Sequence, residues 1–217
     1  MKRRDLLIFD LDGTLIDSKR DLTDSVNATR AWKGLPALPD DIVSAYVGNG
    51  ASMLIRRALP HLQDEEHEEA HQFFLQYYRD HMLDATDLYP GVREALDRLH
   101  AASVQMAILT NKPVKFSVRL IAGLKLDAHF FRIYGGNSFD EKKPNPIGIE
   151  TLIEESAADR ARTIMIGDSA VDVNTARNSN VRACGVAWGF QPETFEHAPP
   201  DFVIDDLNVL ADMVLRA

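Results

Sequence analysis

The stretch DLLIFDLDGTLIDS, residues 5–18, decides the fold. Leu6–Phe9 is a short, wholly apolar run, the pattern of a parallel strand buried on both faces. It stops at Asp10, and a second acid, Asp12, follows two positions later beside Gly13. On an extended strand end, residues two apart point to the same side, so both carboxylates are expected to face one space.

Outward from this stretch the pattern repeats. Residues 104–109 (VQMAIL) end at Thr110 and Asn111, residues 163–166 (TIMI) at Gly167 and Asp168, and residues 202–204 (FVI) at Asp205. Between the runs lie stripes with helical spacing: Val92, Leu96 and Leu99; Ile149, Leu152 and Ile153; Leu207, Leu210 and Val214. Strands alternating with helices predict an α/β fold with a doubly wound, Rossmann-like parallel sheet. One region departs from this. From Ser18 to about Asp87 only helix-like pieces occur (LTDSVNATRAW, ASMLIRRAL, EEAHQFFLQYYRDHML), punctuated by Pro36, Pro39, Gly48, Gly50 and Pro60. The expectation is a core of residues 1–17 and 88–217 with an α-helical cap, residues 18–87, inserted after the first acidic motif. The chain returns at Tyr89-Pro90-Gly91, a turn suited to starting a helix. Ligands of open α/β sheets bind beyond the carboxyl ends of the strands, where Asp10, Thr110 and Asp168 are expected to gather under the cap as a lid.

Composition narrows the partners. The 217 residues carry a formal net charge of −9, which argues against nucleic acid, because phosphate-backbone binding needs a basic surface. Cys184 is the single cysteine, so no internal disulfide is expected, and no signal peptide or membrane-spanning run is seen. A cytoplasmic protein acting on a small molecule is expected, as a monomer or homodimer.

Asp10, Asp12, Asp168 and Asp172 would crowd one crevice with carboxylates, and like charges so close repel unless a proton or cation relieves them. Mg²⁺ suits an oxygen site that leaves positions for water and substrate phosphate. Lys143 and the Thr110 hydroxyl add the positive charge and donors that a phosphoryl group needs.

The motifs DLDGT (10–14), TNK (110–112), KKPNP with Lys143, and GDSAVD (167–172), in this order, resemble those of the haloacid dehalogenase-like superfamily, and the insertion is similar to its small helical cap. The resemblance implies that Asp10 is the nucleophile that becomes an aspartyl phosphate and Asp12 the acid and base. It implies Mg²⁺ held by the Asp10 carboxylate, the Asp12 carbonyl and Asp168, with Asp172 ligating directly or through water. Lys143 would offset the charge on Asp10 and phosphate, while Thr110 and Asn111 hold the transferred group. Dehalogenases of the superfamily lack the acid at the position of Asp12, so hydrolysis of a phosphomonoester is implied.

The segments VGNGASMLIRRAL (47–59), YPGV, TNKP and GGNSFDEKKPNP (135–146) are also similar to bacterial phosphoglycolate phosphatases, which implies 2-phosphoglycolate as substrate. The free amides of a helix opening at Gly50 would suit its carboxylate, with Arg56 or Lys112 adding charge. A pyrophosphatase, a sugar-phosphate phosphatase and a phosphomutase stay open. A receiver-like phospho-Asp switch is the non-enzymatic alternative, disfavoured by the length of the chain and by the neighbouring acids at 10 and 12. HEEAH, residues 67–71, matches the zinc-peptidase pattern but sits in a charged stretch, so a solvated cap helix with Ala70, Phe74, Tyr77 and His81 on its apolar side is preferred.

Overall fold

The computed structural model describes residues 5–216. Its centre is a parallel six-stranded sheet. In chain order the strands are β1 (Leu6–Phe9), β4 (Gln105–Leu109), β5 (Arg132–Tyr134), β6 (Thr163–Gly167), β7 (Arg182–Val186) and β8 (Phe202–Ile204); across the sheet the order is β5-β4-β1-β6-β7-β8. The chain winds from β1 outward through β4 to β5, then crosses back to β6 on the other side. The direction of winding therefore reverses beside β1, and the crevice at the ends of β1 and β6 is the switch point where such folds bind ligands.

The apolar runs are continuous because both faces of the sheet are covered. Leu7 and Phe9 belong to one buried cluster and Leu6 and Ile8 to another, the two-residue alternation of a strand. The first face is covered by α5 (Val92–Ala101), α6 (Val114–Gly123) and α9 (Leu207–Leu215), the second by α7 (Ile147–Ser156) and α8 (Ala170–Asn178). The predicted stripes supply these contacts: Val92, Leu96, Leu99, Ile149, Leu152, Leu207 and Leu210 are buried, with Ile153 and Val214 partly so.

The helical insertion consists of α1 (Lys19–Trp32), α2 (Asp40–Ser44), α3 (Ala51–Ala58) and α4 (Asp64–His81). Its root is a small antiparallel ribbon, β2 (Ile16–Asp17) against β3 (Asp87–Leu88), with Ile16 opposite Leu88. The buried carboxylate of Asp21 on α1 accepts the backbone N–H of Thr86 at 2.8 Å and its hydroxyl at 2.6 Å, pinning the departing chain to the returning one.

Three features differ from the sequence reading. Strands β5 and β7 carry no unbroken apolar run: RIY is a half-exposed edge, and RACGV is built from small residues that pass a periodicity test poorly. The ribbon β2–β3 is only two residues deep on each side and has no period to detect. On α4 the buried face is His67, Ala70, Phe74 and Tyr78, not Ala70, Phe74, Tyr77 and His81. Tyr78 continues the i, i+4 row from Phe74, whereas Tyr77 and His81 stack on each other at 4.3 Å on the outer side.

Candidate active site

Asp10 and Asp168 occupy the first positions after neighbouring strands β1 and β6, and the N–H of Asp10 still donates to the carbonyl of Ile166 at 2.8 Å. That shared register brings the two side chains together. Asp172 enters from the first turn of α8, and Asp10, Asp168 and Asp172 each offer an oxygen within 4.8 Å of the others. Among the described residues no other group of acids, histidines or cysteines meets that test.

Close backbone approach makes the crowding feasible. At Gly13, φ is +81° and a Cβ would stand 2.2 Å from Asp168 Oδ2; at Gly189 a Cβ would stand 2.1 Å from Asp168 Cβ. Asp168 is clamped in this slot, and its Oδ2 accepts the N–H of Phe190 at 2.6 Å. Burial pushes Asp168 well above the ordinary carboxylate range, and the charges of Asp172 and Asp10 push in the same direction. Burial likewise raises Asp10 to about 6, with Lys143 pulling down and Asp172 pushing up. These acids are uncomfortable as anions without a cation between them, and the cluster could hold a metal ion.

Lys143 is buried 2.8 Å from Asp10 Oδ1 and 2.6 Å from Asp172 Oδ1. Asp10 Oδ1 meets the Lys143 ammonium as an ion pair, and the Leu11 N–H also acts on the Asp10 carboxylate. Burial disfavours the Lys143 ammonium, but the attraction of Asp10 and Asp172 outweighs it and holds the group charged. Asp172 is tied more tightly: Oδ1 accepts from Lys143 and Oδ2 from the Ser169 hydroxyl at 2.8 Å, as part of the capping box that starts α8.

Asp12 is held by different partners. Ser18 donates to its Oδ1 at 2.5 Å, and the Lys112 ammonium lies 2.9 Å from both oxygens. Asp10 and Asp12 are therefore supported by separate lysines, Lys143 and Lys112. Thr110 is buried at the end of β4 and accepts the N–H of Lys112 at 3.2 Å. The Asn111 side-chain amide donates to the carbonyls of Gly48 at 2.9 Å and Lys143 at 3.1 Å, spanning core and insertion.

A tight cleft opens beside these groups, with Ser18, Lys143 and Asp172 behind its lining. A water molecule's centre can occupy about 50 Å³ of it, between the acids and an apolar wall of Leu54, Phe74 and Phe116. Asp10, Asp12, Thr110, Asn111, Lys112, Asp168 and Gly50 all line this space. Arg56 does not. It points outward from α3, half exposed, and pairs with Asp64 at 3.0 Å. Its neighbour Arg57 turns back, donating to the Tyr46 carbonyl at 3.0 Å and the Asn49 side chain at 2.7 Å, which shapes the loop before Gly50.

Two parts of the site are absent from the sequence reading. Tyr78 lines the cleft from α4, with Lys112 Nζ 4.5 Å from the centre of its ring. The segment after β7, AWGFQ, gives Gly189 and Phe190 to Asp168 and Gln191 to the insertion, where its amide donates to the Val47 carbonyl at 2.9 Å. With β7 itself unread, the glycine of AWGFQ had no strand end to mark it.

A parallel sheet with paired acids at its switch point and a helical insertion over them defines a class of hydrolase. Residues 7–186 match the haloacid dehalogenase-like hydrolase family, and the chain belongs to it. Within that family it is phosphoglycolate phosphatase-like. It is 40% identical to a phosphoglycolate phosphatase of Vibrio vulnificus, over 97% of this chain and 96% of that protein. It is 39% identical to one from Agrobacterium fabrum, over 94% and 90% of the respective chains. The crystal structure of a predicted phosphoglycolate phosphatase from Haemophilus somnus superposes with a TM-score of 0.92 at 29% identity, covering 98% of this chain and 99% of that one.

Proposed function

We propose that the protein is a Mg²⁺-dependent phosphomonoester hydrolase that works through an aspartyl phosphate on Asp10 and acts on 2-phosphoglycolate. The observation that carries this reading is the division of labour between the two acids. Asp10 lies in the acid cluster with Lys143 as its side-chain counter-charge, as a nucleophile beside a metal requires, whereas Asp12 stands outside that cluster, fixed by Ser18 and Lys112, as a proton-transfer group requires.

In the first step an Asp10 oxygen attacks phosphorus, the bond from phosphorus to the ester oxygen breaks, and Asp12 gives its proton to the departing alkoxide. In the second, Asp12 takes a proton from water, the resulting hydroxide attacks phosphorus, and the bond to Asp10 breaks to release phosphate. Thr110 and the backbone N–H of Asn111 hold the equatorial oxygens, because the Asn111 side chain is already engaged by two carbonyls. Lys143 offsets the negative charge that accumulates on Asp10 and phosphate. The Asp10 and Asp168 carboxylates and the Asp12 carbonyl fit the metal; Asp172, with both oxygens engaged by Lys143 and Ser169, fits an outer role through water. Bound there, Mg²⁺ would neutralise the acids and the incoming phosphate.

Residues 18–87 act as a cap that closes over the ester, and the relatives' shared name together with the tight cleft supports a compact acidic substrate. The test is phosphate release from a panel comprising 2-phosphoglycolate, sugar phosphates, nucleotides and pyrophosphate, with Mg²⁺ and with EDTA. A kcat/KM led by 2-phosphoglycolate and abolished by EDTA is expected. A clear preference for pyrophosphate or a sugar phosphate overturns the substrate, and full activity in EDTA overturns the metal.

A further inference from the structure

Tyr78 presents a chemical oddity. Its side chain is 1% exposed, yet its hydroxyl makes no well-directed hydrogen bond within the protein; the Lys112 ammonium interacts with the oxygen as a donor, which leaves the phenol's own proton without an acceptor. A buried phenol normally finds a partner, because an unsatisfied hydroxyl costs stability that phenylalanine would not. The ring itself is well accounted for: it stacks on Phe74 at 5.7 Å and meets Phe116 edge-on at 5.4 Å. Packing thus explains the aromatic ring but not the oxygen.

The surroundings point to a ligand. Tyr78 lines the cleft that holds Asp10 and Asp12, and the charges of Lys112 and Asp12 both act on its phenol. Burial holds the phenol far from ionisation, so it is a neutral O–H donor. Lys112 carries three N–H donors and faces Asp12 with its charge retained despite burial. In an ester whose leaving oxygen meets Asp12, a group one carbon further along reaches the space beside Lys112. That space has a phenol donor, a cation and an apolar wall, a combination that matches a small carboxylate on a short carbon stem.

We propose that the Tyr78 hydroxyl is a specificity-determining group that donates a hydrogen bond to the carboxylate of a short phosphorylated acid, with Lys112 beside it as counter-charge. The inference rests on the substrate reading above and names the contact through which the insertion enforces it. It also explains why the hydroxyl is retained: its partner arrives with the substrate.

The experiment compares wild type with Tyr78→Phe on 2-phosphoglycolate and on 2-hydroxyethyl phosphate, which replaces the carboxylate with a neutral alcohol. The readout is the ratio of the two kcat/KM values, accompanied by Tm. Wild type is expected to favour 2-phosphoglycolate strongly, and Tyr78→Phe to reduce that ratio by about tenfold or more, the size of a lost hydrogen bond to a charged group. Its Tm is expected close to the wild-type value, since the phenol's proton has no acceptor in the protein to lose. A wild-type ratio near one defeats the substrate reading itself. A high wild-type ratio that Tyr78→Phe leaves within twofold overturns the role of Tyr78 alone. A Tm lowered by several degrees shows that the hydroxyl has a structural partner and likewise overturns it.

Discussion

Single residues in this site are distinguished less by type than by what holds them. Asp10 and Asp12 are both buried aspartates two positions apart, but one leans on Lys143 and the other on Ser18 and Lys112. Asp10→Asn and Asp12→Asn are each expected to reduce phosphate release to background, the first by removing the nucleophile and the second by removing proton transfer. They should differ in other ways. Because burial has raised the folded-state pKa of Asp10, its charged form opposes folding at neutral pH, so metal-free Asp10→Asn should gain roughly 2–4 °C in Tm, the shift about 1 kcal/mol gives a chain of this size. Thermal melts in EDTA check this, and a large loss of Tm would contradict the electrostatics described. Ser18→Ala leaves Asp12 with Lys112 alone. Its kcat is expected to fall about tenfold on 2-phosphoglycolate and p-nitrophenyl phosphate alike, because a proton-transfer group that wanders serves every ester less well. Loss on only one ester would assign Ser18 to recognition instead.

At the scale of elements, the loop before α3 joins the insertion to the core. Asn111 donates to the Gly48 carbonyl, Lys142 to the Asn49 carbonyl at 2.6 Å, and Gln191 to the Val47 carbonyl. Gly50 sits at φ +85°, a conformation closed to proline, with Asn111 O 3.1 Å from where a Cβ would stand. Gly50→Pro should therefore displace the loop and lower kcat/KM for 2-phosphoglycolate by roughly tenfold more than for p-nitrophenyl phosphate, which has no carboxylate to be placed. Equal losses on both would make the loop a closing device without a part in recognition. The helices and the inner strands were legible in the sequence because a buried face leaves a period, as Leu6–Phe9 and Val92, Leu96 and Leu99 show. So were Asp10 and Asp168, since each follows a strand. The edge strand Arg132–Tyr134 and the small-residue strand Arg182–Val186 bury too little bulk to leave that mark. The bonds from Lys112 to Asp12 and from Gln191 to Val47 join residues 100 and 144 positions apart, and no local pattern records such a distance. For the same reason nothing in the residues around Arg56 revealed that it faces Asp64 rather than the cleft.

For the whole molecule, the buried acids tie stability to pH and to any cation the cluster holds. Asp10 has a folded-state value of about 6 against an ordinary 3.8, and Asp168 is raised as well. A raised carboxyl favours the folded state at low pH, and that contribution is lost as pH climbs from near 4 through 6. Metal-free protein should thus lose stability over that window, and Mg²⁺ in the proposed site between the anions should restore it. The rise in Tm on adding saturating Mg²⁺ is expected to be several degrees at pH 7.5, in line with about 2.7 kcal/mol at a hundredfold excess over Kd. It should be much smaller at pH 5, where protons compete for the same oxygens. Differential scanning fluorimetry at the two pH values decides this, and equal shifts would place the cation elsewhere.

The ribbon of Ile16 and Asp17 against Leu88 and Asp87 has a bearing on how such a molecule can be remade. The insertion leaves the core and rejoins it at adjacent points of one hydrogen-bonded ladder, so to the sheet it resembles the tip of a hairpin. Shortening that tip to a tight turn, or exchanging it for another module whose ends lie side by side, asks nothing new of β1, β4 or β6. The acids proposed for catalysis lie on one side of this splice point, and the loop before α3 and Tyr78, proposed for recognition, on the other. On the proposed reading, a chimera that keeps the residues following β1 and β6, together with Ser18, while trading the helices beyond it should inherit the reaction and change its clientele.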